Sequence, residues 1–220
     1  GDGSSLNWLQ NILDGDKEKE RILYSDPHPE KGFVINVDTK WRAHPNCFDV
    51  PQAEWISDEK MKVDHLYCLG IARKKGLRSL RDLRGEDLEM LKNLLEKGHE
   101  TIWKIYGLPK SKLRVFVHYQ PQFYQFHVHY TNQLNQMNIL PEKAHLLHEI
   151  IQNIEMDPFY YKKRTIQFSV NVGVPLHIAL KPFLSDSIAE GHESDFSCKR
   201  KSDEVHGNDC TSGIRRKKVP

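Results

Sequence analysis

Residues 118–132 read HYQPQFYQFHVHYTN. Phe123, Gln125, His127, His129 and Thr131 occupy one set of alternate positions, and Tyr124, Phe126, Val128 and Tyr130 the other. On a β-strand, residues two apart share a face. One face is then aromatic and branched, fit for a core. The other gathers two imidazoles and an amide. His118 ends the preceding strand-like run, LRVFVHY, and the link between the two runs contains Pro121. The spacing predicts a hairpin-like pair that brings three imidazoles and Gln125 to one patch.

Outward from this pair, RILYSD and GFVINVDTKW read as strands, with Pro27, Pro29 and Gly32 as turn signals between them. HLYCLGIARK is a third strand after a polar loop at 42–60. The run from Leu80 to Gly107 predicts the main helix, because Leu88, Leu91, Leu94, Leu95, Ile102 and Ile105 form one stripe and Gly107 stops it. EKAHLLHEIIQNIE predicts a second helix ended by Asp157-Pro158, and RTIQFSV a last strand. A short helix is expected over LNWLQNIL, with Trp8 off its apolar stripe. Strands joined by short links with two helices between them predict an α+β fold with a mostly antiparallel sheet.

Composition narrows the function classes. The net charge is +2, but from Asp195 to Pro220 seven Lys/Arg stand against four Asp/Glu, which leaves 25 basic and 26 acidic groups in residues 1–194. A general polyanion binder is thereby excluded, and any anion site is local. Cys47, Cys68, Cys198 and Cys210 form no C-x-x-C pair, so thiols in a reducing compartment are expected. No apolar run approaches a membrane span. A soluble intracellular protein without a membrane partner is the expectation. GDGSS at 1–5 reads as an expression remnant or a cut point, and 185–220 as a disordered tail with the basic clusters CKRK and IRRKK.

Three readings of the histidine face compete. It is a polar sheet face with incidental imidazoles, or a metal site, or a nucleophile for phosphoryl transfer. Zinc wants three or four placed donors, and no Cys or carboxylate adjoins the His-x-His pair. A neutral imidazole attacks phosphorus well when one nitrogen is bare and the other is held by an acceptor.

The row resembles the histidine triad, His-φ-His-φ-His, of the nucleotide hydrolases and transferases named after it. In order along the chain, GFVINVDTKW, GLRSLRDL, LRVFVHYQP, FHVHYT, AHLLHEIIQNIEMDP and YYKKRT resemble one branch, the scavenger mRNA decapping enzymes. The resemblance implies a histidine triad decapping domain over residues 6–184, a homodimer, a cytoplasmic and nuclear location, and no cofactor or metal. Its substrates would be capped RNA fragments or cap dinucleotides, and cap binding with little or no hydrolysis is the alternative. In that family a separate N-terminal domain, swapped between subunits, closes over the cap. Nothing in this chain matches that domain.

The same resemblance makes His127 the nucleophile, with His129, His118 and Gln125 as its companions in catalysis. Trp8 would stack on the methylated base, Glu18 would accept from the guanine edge, and Asp38 and Lys40 would contact the cap. Lys143 stands where the family has a phosphate-side arginine, keeping the charge without the bidentate fork. Four further positions depart from the pattern. Gln125 replaces the first histidine, Thr39 a leucine on the base's other face, and Gln122 and Phe123 a serine and a tyrosine near the phosphates. Thr39 offers little apolar surface opposite Trp8, so weak discrimination between methylated and unmethylated cap is expected. Trp8→Ala should weaken binding of the methylated ligand by about 1–3 kcal/mol, the usual worth of a base–aromatic stack. A titration giving equal affinity with and without Trp8 would remove it from the site.

Overall fold

The computed structural model describes residues 21–42, 44, 62–136, 142–168 and 175–184. The chain divides into two compact units, 1–170 and 171–220. In the first, six strands form one antiparallel sheet: β1 Ile22–Ser25, β2 Phe33–Val37, β3 Tyr67–Ala72, β4 Leu113–His118, β5 His127–Asn132 and β6 Ala144–Leu146. Their order is β1-β2-β3-β5-β4-β6, so the histidine strand lies inside the sheet between β3 and β4. Helix α1 spans Leu88–Tyr106, α2 Leu147–Met156 and the short α3 Tyr160–Lys163. In the second unit the described part is helix α4, Pro175–Leu184, which is not among the elements expected from the sequence.

Register separates the two sheet faces. Cys68, Gly70, Val128, Tyr130, Val115 and Val117 lie on the face that α1 covers. Along α1 the buried residues Met90, Leu91, Leu94, Gly98, Thr101, Ile102 and Tyr106 recur at helical spacing. Each fully buried large side chain there contributes about 1.5–3 kcal/mol. The Tyr130 hydroxyl donates to the Leu94 carbonyl at 2.7 Å, which satisfies the phenol of a ring with no solvent exposure. Gly107, at φ 64°, takes the left-handed position that ends α1, its N–H donating to the Trp103 carbonyl. Helix α2 packs beside α1, and Lys92 meets Glu155 across the two at 2.5 Å.

Several boundaries differ from the sequence reading, each for a local reason. The main helix begins at Leu88, not near Leu80. Asp82 accepts from the Ser79 N–H and Asp87 from the Arg84 N–H, and these bonds hold 80–82 and 85–87 in separate short turns. Ala144–Leu146 is a strand, because it pairs with β4 through Val117↔His145. Residues 165–168 carry no strand, although Ile166 is buried. Strand β5 starts only at His127, so Phe123 and Gln125 lie in the bend before it. The expected helix over 6–13 and the tail at 185–220 fall outside the described residues.

At Gly98 helix α1 lies tight against the sheet, and an added Cβ would overlap the Tyr130 ring. Tyr130 is fully buried and cannot swing aside. Gly98→Ala should therefore destabilise the chain by about 1–3 kcal/mol through overpacking, despite alanine's better helix propensity. Denaturant midpoints of parent and variant measure this, and an unchanged or raised midpoint would show that the contact has slack.

Candidate active site

The other face of the sheet, opposite α1, carries the histidines. Across it, Val34, Ile71 and His127 form one row; Asn36, Leu69, His129, Phe116 and Leu146 the next; Tyr67, Thr131 and Arg114 the third. His118 follows Phe116 on the same side of β4, and its ring centroid lies 4.3 Å from that of His129. The rings of His127 and His129 are 5.0 Å apart, nearly perpendicular. The three imidazoles are thus brought together, as the spacing predicted. His127 and His129 are each only 3% exposed.

His127 Nδ1 lies 2.7 Å from the Gln125 carbonyl. A carbonyl only accepts, so Nδ1 carries the proton of the neutral ring and Nε2 presents its lone pair. Burial pushes the His127 value down to about 4; the Gln125 bond opposes this, and the charges of His118 and Lys40 add to it. The ring is therefore neutral at pH 7. Phe123, although off the strand, stacks on it at 4.0 Å with an interplanar angle of 13°.

His129 is held differently. Its Nδ1 is 3.0 Å from the Tyr67 hydroxyl, and Phe116 stacks on its ring at 5.1 Å. Burial, then the Asp38 carboxylate, raises the Tyr67 phenol, so it keeps its proton. Donating to Nδ1 satisfies that buried O–H and leaves the proton of neutral His129 on Nε2. Burial holds His129 well below its ordinary value, with His127, His118 and Lys40 adding. His129 Nε2 is shielded and has no hydrogen-bond partner among the described residues, and the same holds for Asn36 Oδ1, Thr131 Oγ1 and Arg114 Nη1 on the same face. Leaving such atoms unpaired costs about 1–3 kcal/mol each, so an interior this well packed rarely tolerates them without a role.

Of the other expected residues, Asp38 and Lys40 lie in the turn after β2. Asp38 Oδ1 accepts from the Lys40 N–H at 2.7 Å, and Lys40 Nζ stands 5.1 Å from the Tyr67 ring centre, close enough to depress both histidines. Lys143 adjoins the site through its main chain, its carbonyl accepting from the Tyr119 N–H just beyond His118. Gln125 turns its side chain to backbone, donating to the carbonyls of Ala72 at 2.6 Å and Lys74 at 3.2 Å. Trp8 and Glu18 lie outside the described residues. Sequence reasoning missed Tyr67, Phe116 and Asn36. Tyr67 and Phe116 look like core aromatics, and only register places them against His129. Asn36 gave a usable signal, being an amide within the otherwise apolar run FVINV.

Residues 7–145 match the family model described as "Scavenger mRNA decapping enzyme C-term binding". Among curated proteins, the chain is 38% identical over 173 residues to the m7GpppX diphosphatase of Rattus norvegicus and to that of Homo sapiens, covering 78% of this chain and 46% of each relative. The m7GpppX diphosphatase of Caenorhabditis elegans is 37% identical over 166 residues, 75% of this chain and 48% of that protein. The chain spans about half the length of the curated relatives it matches.

The depressed value of His127 links stability to pH. In the unfolded chain the ring titrates near 6.5, and in the folded chain near 4. As pH falls, the unfolded chain binds the proton first. The stability present above pH 6.5 is lost progressively down to pH 4, by about 3 kcal/mol from this ring. His129 shifts in the same direction and adds to the loss. Unfolding free energies at pH 7 and pH 4 should show this drop, and His127→Gln should remove roughly the His127 share. Equal pH dependence in parent and variant would mean that the ring titrates as it does in water.

Proposed function

Because the chain belongs to the scavenger mRNA decapping enzyme C-terminal family, we propose that it hydrolyses the triphosphate bridge of 7-methylguanosine-capped RNA fragments or cap dinucleotides. The observation that carries this reading is His127, neutral, with Nδ1 committed to a carbonyl and Nε2 bare. Nε2 attacks the phosphorus next to 7-methylguanosine. A P–N bond forms, and the P–O bond to the remaining diphosphate-ended fragment breaks. The Nε2–H of His129, unpartnered among the described residues, hydrogen-bonds the phosphate or leaving oxygens as charge gathers there. Water then attacks the phosphoryl-histidine, the P–N bond breaks, and 7-methylguanosine monophosphate leaves. Lys40, from the turn beside Tyr67, and Lys143, from the turn just before β6, bring positive charge to the phosphates. His118, against the His129 ring, and Gln125 complete the set. No cofactor enters this scheme. A homodimer and a cytoplasmic and nuclear location belong to the same proposal, on the family resemblance.

A second reading is favoured by one contact. Phe123 covers a face of the His127 ring and brings no hydroxyl to the phosphates, which suits a domain that binds caps and turns them over little or not at all. Incubation with a methylated cap dinucleotide, followed by resolution of the products, separates the readings: monophosphate supports the hydrolase, and bound but intact ligand supports the binding module. His127→Ala should abolish hydrolysis, by several orders of magnitude, while cap binding survives. Near-parental turnover by that variant would rule out the histidine reaction.

A further inference from the structure

We propose, resting on the histidine reaction just set out, that Gln125 is a positioning residue whose side-chain amide locks the tautomer of the nucleophile. It stands where the family resemblance expects a histidine, and its contacts are those of a clamp. The side-chain Nε2 donates to the carbonyls of Ala72 and Lys74, at 2.6 and 3.2 Å, where the chain leaves β3. One residue on, the Phe126 N–H donates to the Leu77 carbonyl at 2.8 Å, and the Phe126 carbonyl accepts from the Ala72 N–H at 3.0 Å. The bend before β5 is thereby tied to the 72–77 segment at four points.

The consequence for His127 follows from peptide geometry. The unit joining Gln125 to Phe126 is planar, with its C=O and N–H pointing in opposite directions. Fixing the Phe126 N–H on Leu77 aims the Gln125 carbonyl the other way, and there it accepts from His127 Nδ1. Phe123, stacked on the His127 ring, belongs to the same bend. One anchored segment therefore sets both the tautomer and the tilt of the imidazole. A glutamine suits the anchor because its NH2 carries two protons on one atom, one for each carbonyl. A neutral histidine offers a single N–H and reaches one carbonyl at a time. Leucine has the bulk of glutamine and no donor. Gln125 also does not titrate, so the clamp holds through the whole range in which His127 is neutral.

The experiment uses the 220-residue chain with 15N-labelled imidazoles, as the parent, Gln125→Leu and Gln125→His. Long-range proton–nitrogen spectra at pH 7 read the His127 tautomer, and single-turnover cleavage of a methylated cap dinucleotide reads the reaction. The parent should show His127 wholly in the Nδ1–H form. In Gln125→Leu part of the population should shift to Nε2–H, and the cleavage step at saturating substrate should slow by about tenfold or more with little change in cap affinity. Gln125→His, with one donor, should show an Nδ1–H share between the two. If the leucine variant does not fold, the histidine variant alone decides, by an Nδ1–H share below that of the parent. Parental tautomer populations in both variants would overturn the proposal, as would slowed cleavage with an unchanged tautomer, which would put Gln125 on the substrate instead. A shifted tautomer in a chain whose parent cleaves no cap would uphold the clamp and refute the hydrolase.

Discussion

The site depends on one hydrogen bond, from His127 Nδ1 to the main-chain carbonyl of Gln125. Because a carbonyl cannot donate, this bond alone decides which imidazole nitrogen is basic. Burial then removes the competing option of protonation, since a charged ring inside the sheet is disfavoured. A neutral histidine with a defined lone pair is thus a property of the fold itself.

That arrangement needs a strand that cannot shift. β5 is paired on both sides, and the face opposite the histidines is wedged by Tyr130 against Gly70 and Gly98, with its hydroxyl bonded to Leu94. A one-residue slip would turn Val128 and Tyr130 toward the site and the imidazoles toward α1. The small glycines and the large tyrosine therefore fix the register of the histidine row from behind, and core packing and site geometry become one constraint.

The other face is less well satisfied. Asn36, His129, Thr131 and Arg114 each keep a shielded polar atom without a partner among the described residues, while the faces of His127 and His129 are dressed by Phe123 and Phe116. A sheet built for stability alone would place apolar groups at these points. Asn36 stands on β2, His129 and Thr131 on β5 and Arg114 on β4, and leaving such atoms unpaired costs the fold stability.

The sequence alone determined which residues share a face, because strand and helix periods are local properties of the chain. The row His127, His129, the company of His118, the core stripe of α1 and its stop at Gly107 were all legible for that reason. So was the family, through the order of its blocks. What only the tertiary structure decided is how distant segments meet. Tyr67 reaches His129 across 62 positions, Gln125 reaches Ala72 and Lys74 across more than 50, and Ala144–Leu146 becomes a strand because β4 offers it an edge. Phe123 and Gln125 keep the alternation of β5 in sequence yet leave it in space, since the 72–77 segment bonds the bend before His127 and ends the ladder there. Periodicity says which way a side chain faces, but the partner that fixes its proton is set by register between strands far apart in the chain.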